Sequence, residues 1–220
     1  MSAVVPIIHI VDDDKSFRTA VGRLLGVSGF RVASYGSGDE ILAHPPSQES
    51  GCILLDLQMP GVSGSELQDR LAEKLPLLPI IFLTGHGTIG AGVRAIKAGA
   101  EDFLEKPASG KALLEAIQRA LLENERRRTE HDRIHALQAL VASLTSRESQ
   151  VFDLMVRGKP NKQIAYVLST SERTVKAHRH SIMEKLGVRS LAEAVSIAER
   201  LRLVDWGAQP LHRQKNGASP

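Results

Sequence analysis

Five strand-like stretches divide the first half of the chain: the apolar run PIIHIV (6–11), the alternating FRVASY (30–35), then CILLD (52–56), PIIFLT (79–84) and DFLEK (102–106). Each is followed by a stretch with helical spacing. From Phe17, apolar residues recur at 17, 20, 21, 24 and 25, which is one face of a helix. Further helical stretches are expected at 38–43, 64–74, 88–98 and from about 109 onward. Pro45 and Pro46, Pro76 and Gly99 stop the first three of these. Five β-then-α units call for a parallel sheet covered on both faces. Right-handed crossovers make it a doubly wound α/β fold.

The second half has no such alternation, and its charge differs. Residues 1–122 carry 11 Lys/Arg against 14 Asp/Glu, a net −3, whereas residues 145–204 carry 11 against 6, a net +5. Two domains with different partners follow, the basic one suited to nucleic acid. Between them, ENERRRTEHDR (123–133) has no apolar residue and reads as an exposed helical linker covering 123–143. Ile134, Leu137 and Val141 are candidates for pairing along it. The tail 205–220, polar with Gly and Pro, is expected to be disordered. The single cysteine, Cys52, excludes a disulfide within one chain. No apolar run approaches the ~20 residues that span a bilayer. The absence of a secretory pattern at the N-terminus fits a cytoplasmic location.

In a doubly wound sheet, ligands gather at the carboxyl ends of the strands. Four strands deliver polar groups there: Asp12, Asp13 and Asp14 from the first, Asp56 from the third, Thr84 from the fourth and Lys106 from the fifth. Singly, each has a structural explanation, and Asp14 is well placed to cap the helix that follows. Jointly they make a pocket of carboxylates with one ammonium and one hydroxyl. Clustered carboxylates repel unless a cation joins them, and all-oxygen ligands suit Mg²⁺. Metal, ammonium and hydroxyl would stabilise a phosphoryl group, leaving one carboxylate as nucleophile. GTIGAG (87–92) lacks the strand–turn–helix spacing of a dinucleotide site and has no phosphate-binding lysine motif.

In the basic half, residues 144–188 read as short helices. Ser146 is placed to cap the first, with Glu148 in its opening turn, and Gly158 and Pro160 end it. A second helix over 161–168 buries Ile164, Ala165 and Leu168. A tight turn at 169–171 leads to a third helix, capped by Ser171 and reaching about Leu186. Two helices across so short a turn form a helix-turn-helix. On the third helix Val175, Ile182 and Leu186 share one face, while Arg173, Lys176, Ala177 and His180 lie opposite. An apolar side facing the core and a basic, small side facing out suit a recognition helix in a major groove.

VDDD (11–14), LLDLQMPGVSG (54–64), LTGHG (83–87) and KAGAEDFLEKP (97–107) resemble the receiver domain of bacterial two-component response regulators, over roughly residues 5–122. LTSRE, GKPNKQIA, SERTVKAH and KLGV resemble the LuxR-type helix-turn-helix, over about 144–204. Together they resemble the FixJ/NarL class. The resemblance implies a flavodoxin-like (βα)5 receiver at 1–122 followed by a four-helix DNA-binding domain. It also implies that Asp56 accepts phosphate from a sensor histidine kinase. Asp13, Asp56 and the backbone carbonyl of Gln58 would hold Mg²⁺, with Asp12 assisting through water. Thr84 and Lys106 would bind phosphoryl oxygens, Phe103 would be the aromatic switch residue, and the Lys106–Pro107 bond would be cis. Ala108 departs from the aromatic that often follows Lys-Pro. On the DNA side, Lys176, Ala177 and His180 would lie near base edges, and Lys162, Thr174, His178 and Arg179 near phosphates. The helix 190–201 would pair two such domains, giving a homodimer on phosphorylation, with RNA polymerase as a further partner and no membrane. An aspartyl-nucleophile phosphohydrolase would use a similar pocket. No further acid/base motif or substrate cap accompanies this one, so the chain is not expected to be an enzyme.

Overall fold

The computed structural model describes residues 5–46, 50–85 and 89–204. The tail from residue 205, and His86, Gly87 and Thr88 of the LTGHG and GTIGAG stretches, lie outside the described residues. The chain divides into two compact units, Met1–Glu130 and His131–Pro220.

The first unit alternates strands β1 (Ile7–Val11), β2 (Arg31–Tyr35), β3 (Gly51–Leu55), β4 (Ile80–Thr84) and β5 (Asp102–Glu105) with helices α1 (Lys15–Val27), α2 (Gly38–Ala43), α3 (Gly64–Lys74), α4 (Ile89–Lys97) and α5 (Gly110–Ala142). All the pairings are parallel, in the order β2-β1-β3-β4-β5. This is the doubly wound order in which the chain reverses direction between β1 and β3, opening a crevice at their carboxyl ends. β3 and β4 are buried along their whole length, as unbroken apolar runs require when helices cover both faces. Alternation then sorts their side chains. Ile53, Leu55 and Phe82 pack with Leu67 and Leu71 of α3, while Cys52, Leu54, Ile81 and Leu83 pack with Leu25 of α1 and Leu113 and Ile117 of α5.

The stretch read from sequence as an exposed linker is not uniformly exposed. Asn124 is fully buried; its side chain accepts from Gly51 N at 3.2 Å and donates to Leu77 O at 2.6 Å. A polar residue without apolar neighbours in sequence is thus a tether to the sheet. Arg127 is half-buried, its guanidinium 2.8 Å from Glu123 and 3.9 Å from Glu101. Leu137 and Val141 are half-buried, and both pack against the core of the second unit.

That unit holds α6 (Ser146–Val156), α7 (Asn161–Val167), α8 (Glu172–Leu186) and α9 (Leu191–Arg200) around Val151, Met155, Ile164, Val175, Ile182 and Ala198. The cap of α6 is Thr145, not Ser146. Its hydroxyl accepts from Glu148 N while the Glu148 carboxylate accepts from Thr145 N, a reciprocal capping box that Ser146 cannot make because the glutamate is three residues from Thr145. Ser171 caps α8, and Gly187 ends it in the left-handed conformation, φ 65°.

Candidate functional site: an acidic pocket and a basic recognition helix

The register of the sheet brings the acidic residues together. Val11 pairs with Leu55, so Asp12 and Asp56, one residue further along each strand, stand side by side; Asp56 N donates to Val11 O at 2.9 Å. Thr84 pairs with Glu105, so Lys106 emerges beyond it, and Lys106 N donates to Thr84 O at 2.8 Å. Asp12, Asp56 and Thr84 are all buried, and Asp13 is exposed at the rim. The loop after β3 folds back under Asp56. A Cβ on Gly64 would lie 2.7 Å from both Asp56 O and Leu57 Cα, so only glycine lets α3 start so close to the strand end.

Lys106 organises this pocket. Its ammonium lies 2.5 Å from Asp12 Oδ2 and 2.7 Å from Asp56 Oδ2, with 16% of its side chain exposed. Burial works against its charge, but the hydrogen bonds to the two carboxylates outweigh that and hold its pKa above the ordinary lysine value. Burial raises the Asp12 carboxyl above the usual carboxylate value, against the pull of Lys106 and of Asp14 N, which donates to Asp12 Oδ1 at 2.9 Å. Asp56 keeps a second oxygen, Oδ1, as acceptor of Gln58 N at 3.0 Å. Ligand oxygens of Asp12, Asp13 and Asp56 lie within 4.8 Å of one another, and one ammonium leaves this trio net negative. Hard carboxylate oxygens in that arrangement fit a divalent cation.

Asp14 stands outside the cluster as the cap of α1, accepting from Ser16 N and Phe17 N. Gln58 is exposed, and its backbone N–H is engaged with Asp56. Phe103 on β5 is half-buried, with its ring 6.4 Å from Phe82. The ring is closely backed by α4, since a Cβ on Gly92 would approach Phe103 Cδ1 to 3.3 Å. The Lys106–Pro107 peptide is cis.

In the second unit, α7 and α8 enclose a turn of four residues, with Ser169 at φ 49°. Val175, Ile182 and Leu186 are buried, and Arg173, Thr174, Lys176, Ala177 and His180 of the same helix are exposed. His178 and Arg179 are half-buried at the flank, and Lys162 is exposed on α7. Thr174 Oγ1 lies 2.9 Å from Ser171 Oγ, and His180 Nε2 lies 3.7 Å from Glu184 Oε1.

Residues 8–118 match the response regulator receiver domain, and residues 142–198 match the luxR family of bacterial regulatory proteins. The chain belongs to the response regulators. This regulator is 42% identical to the response regulator protein TmoT of Ectopseudomonas mendocina, over 89% of each chain. It is 39% identical to the transcriptional regulatory protein FixJ of Rhizobium meliloti, over 87% of this chain and 94% of that one. Among solved structures it resembles the response regulator StyR, with a TM-score of 0.73 and 46% identity over 90% of this chain and 100% of that one. The regulator is therefore a DNA-binding transcriptional regulator of two-component type rather than an enzyme, and a sensor kinase and DNA are its partner classes. Among the described residues, no helix is long and apolar enough to cross a membrane.

One residue that bears on α8 was read from sequence only as an acid in the opening turn of α6. Glu148 is buried at the start of α6, yet its carboxylate accepts from Ser181 Oγ at 2.7 Å and Lys185 Nζ at 2.6 Å, both on α8. Lys185, then Ser181 and Thr145 N, hold it at a pKa of about 2. Arg147 adds a hydrogen bond to Leu168 O in the turn. The first turn of α6 thus fixes both α8 and the turn before it. The T-x-x-E spacing within LTSRE was the signal for this capping box.

Proposed function

We propose that Asp56 is the phosphoacceptor of a receiver whose state controls DNA binding by α8. The observation that carries this reading is the single ammonium of Lys106 held between Asp12 and Asp56 at the ends of adjacent strands. The Asp56 carboxylate attacks the phosphorus of a phosphohistidine on the sensor kinase. The P–N bond breaks, and an acyl phosphate forms at Asp56. Lys106 and Thr84 take the phosphoryl oxygens. Asp13, Asp56 and the Gln58 carbonyl, with Asp12 assisting through water, would hold Mg²⁺, which would neutralise the charge gathered there. Thr84 precedes the loop to α4, and Phe103 lies on the neighbouring strand. Movement of Thr84 toward the phosphoryl group and of Phe103 behind it changes the α4–β5 face.

That change favours a homodimer or frees the DNA-binding unit for a dyad-related pair of half-sites, with α9 pairing the two units. Lys176, Ala177 and His180 read base edges, while Lys162, Thr174, His178 and Arg179 hold phosphates. RNA polymerase is the further partner at the promoter, and the cytoplasm is the compartment. The receiver comprises 1–122, the DNA-binding domain 144–204, and the helical segment 123–143 joins them. Acetyl phosphate labelling, trapped by borohydride and mapped by mass spectrometry, tests the chemistry. The adduct is expected on Asp56, dependent on a divalent ion and lost in EDTA. An adduct elsewhere, or undiminished labelling in EDTA, refutes the reading.

A further inference from the structure

Lys106 has a third partner besides its two carboxylates. Its ammonium stands over the ring of Phe17, 4.1 Å from the centroid. Phe17 lies in the first turn of α1, anchored there because Asp14 caps that turn through the N–H of Phe17 itself. The ring is half-buried and packs against the cluster that holds Leu54 and Leu83 of the sheet and Leu113 of α5. With Leu83, Ala108 and Leu113 it walls an apolar cavity of about 180 Å³. The ammonium therefore has an ionic side, toward Asp12 and Asp56, and an aromatic side, toward α1.

The two sides respond differently to the chemistry. A divalent cation in the acidic cluster engages the same carboxylates that hold Lys106, which weakens their hold on the ammonium. The face of an aromatic ring attracts an ammonium through its quadrupole. It carries no net charge, does not compete for the metal and is not consumed by phosphoryl transfer. We infer that Phe17 is a positioning residue for Lys106, holding its ammonium beside Asp56 once the cation has engaged the carboxylates. Lys106 is then in place when the phosphoryl oxygens arrive. This inference rests on Asp56 being the phosphoacceptor.

Phe17→Leu keeps an apolar side chain but removes the ring, and Phe17→Tyr keeps the ring. With saturating acetyl phosphate and Mg²⁺, Phe17→Leu is expected to label Asp56 about three- to tenfold more slowly than the parent chain. Phe17→Tyr is expected to stay within about twofold. A second readout requires no phosphoryl donor. In protein labelled with ¹³C at the lysine ε position, the Lys106 methylene is expected upfield of the other lysines through the ring current. It should remain there when Mg²⁺ is added, and return to the ordinary position in Phe17→Leu. Loss of the upfield shift in the parent chain on adding Mg²⁺ overturns the inference, as does Phe17→Leu labelling at the parent rate. Phe17→Tyr as slow as Phe17→Leu also overturns it, because shape rather than the ring face would then matter. Asp56→Asn labelled like the parent chain would instead refute the phosphoacceptor reading and leave the spectroscopic comparison to stand on its own.

Discussion

Replacing Lys106 by Met keeps an unbranched, largely buried side chain and removes the charge that joins Asp12 to Asp56. Each ion pair, at an effective dielectric near ~20 and a charge separation near ~4 Å, contributes about 4 kcal/mol of attraction. The desolvation of three charged groups offsets most of that, so the intact triad is close to neutral for stability. Deleting the ammonium is a different operation. Two carboxylates with 3% and 10% side-chain exposure are left facing each other without a counterion. Breaking a buried pair in this way costs ~3–5 kcal/mol. The partial exposure of Lys106 and Asp56 lowers the expectation to about 2–3 kcal/mol in metal-free buffer at neutral pH.

The sign with pH follows from Asp12. Its folded pKa is already raised by burial, and Lys106 opposes that rise. Without Lys106 it rises further, so the variant is most stable in acid. It loses stability as pH climbs from the unfolded value near ~4 toward the folded one. Amide exchange of β1 and β3 reads the first unit alone. Protection in the variant is expected to fall about 30- to 150-fold near neutrality. The gap should close in acid, and should narrow when Mg²⁺ supplies the missing positive charge. Equal protection in the two proteins, or a gap unchanged by acid and by Mg²⁺, would refute the electrostatic account of the pocket.

Other expectations concern the DNA-binding unit. Glu148→Gln removes the charge that Lys185 and Ser181 share and should weaken specific DNA binding by about tenfold, while leaving labelling of Asp56 unchanged. Because its carboxyl is held at about 2, the contribution of this network is full above the unfolded value near ~4.3 and fades as pH falls toward the folded one; acid titration of α8 by NMR would show that loss, and Glu148→Gln should abolish it. Lys176→Ala should broaden the preferred site in a selection from random sequences, at a cost of ~1–3 kcal/mol for the preferred base. Lys162→Ala should instead weaken specific and random DNA alike and lower the salt slope by about one. A Lys176→Ala chain with an unchanged site preference would place the wrong face of α8 in the groove.

The strands and the pocket were legible because they depend on local pattern. Apolar runs of five or six residues mark buried parallel strands, and the first polar residue after each run lands at the carboxyl edge wherever the sheet closes. The positions of Asp12, Asp56 and Thr84 follow from that rule, whereas Lys106 lies one residue further on, after Glu105 ends β5. What escaped the reading depends on distance in sequence. Asn124 sits in a wholly polar stretch, and its burial is decided by Gly51 and Leu77, some fifty to seventy residues away. Glu148 reads as an ordinary first-turn acid, and only packing of α6 on α8 turns it toward Ser181 and Lys185. Phe17 follows the apolar period of α1 and is read as core. That its ring meets the ammonium of Lys106, just beyond β5, is a property of the assembled sheet.

The central claim is that chemistry at Asp56 governs DNA binding by α8. It is tested most directly by titrating the full chain with a DNA duplex carrying its selected site, with and without beryllofluoride as a phosphoryl mimic, in the parent chain and in Asp56→Asn. The account predicts a change in affinity of about tenfold or more in the parent chain and none in Asp56→Asn. Identical affinities with and without the mimic in the parent chain would contradict it.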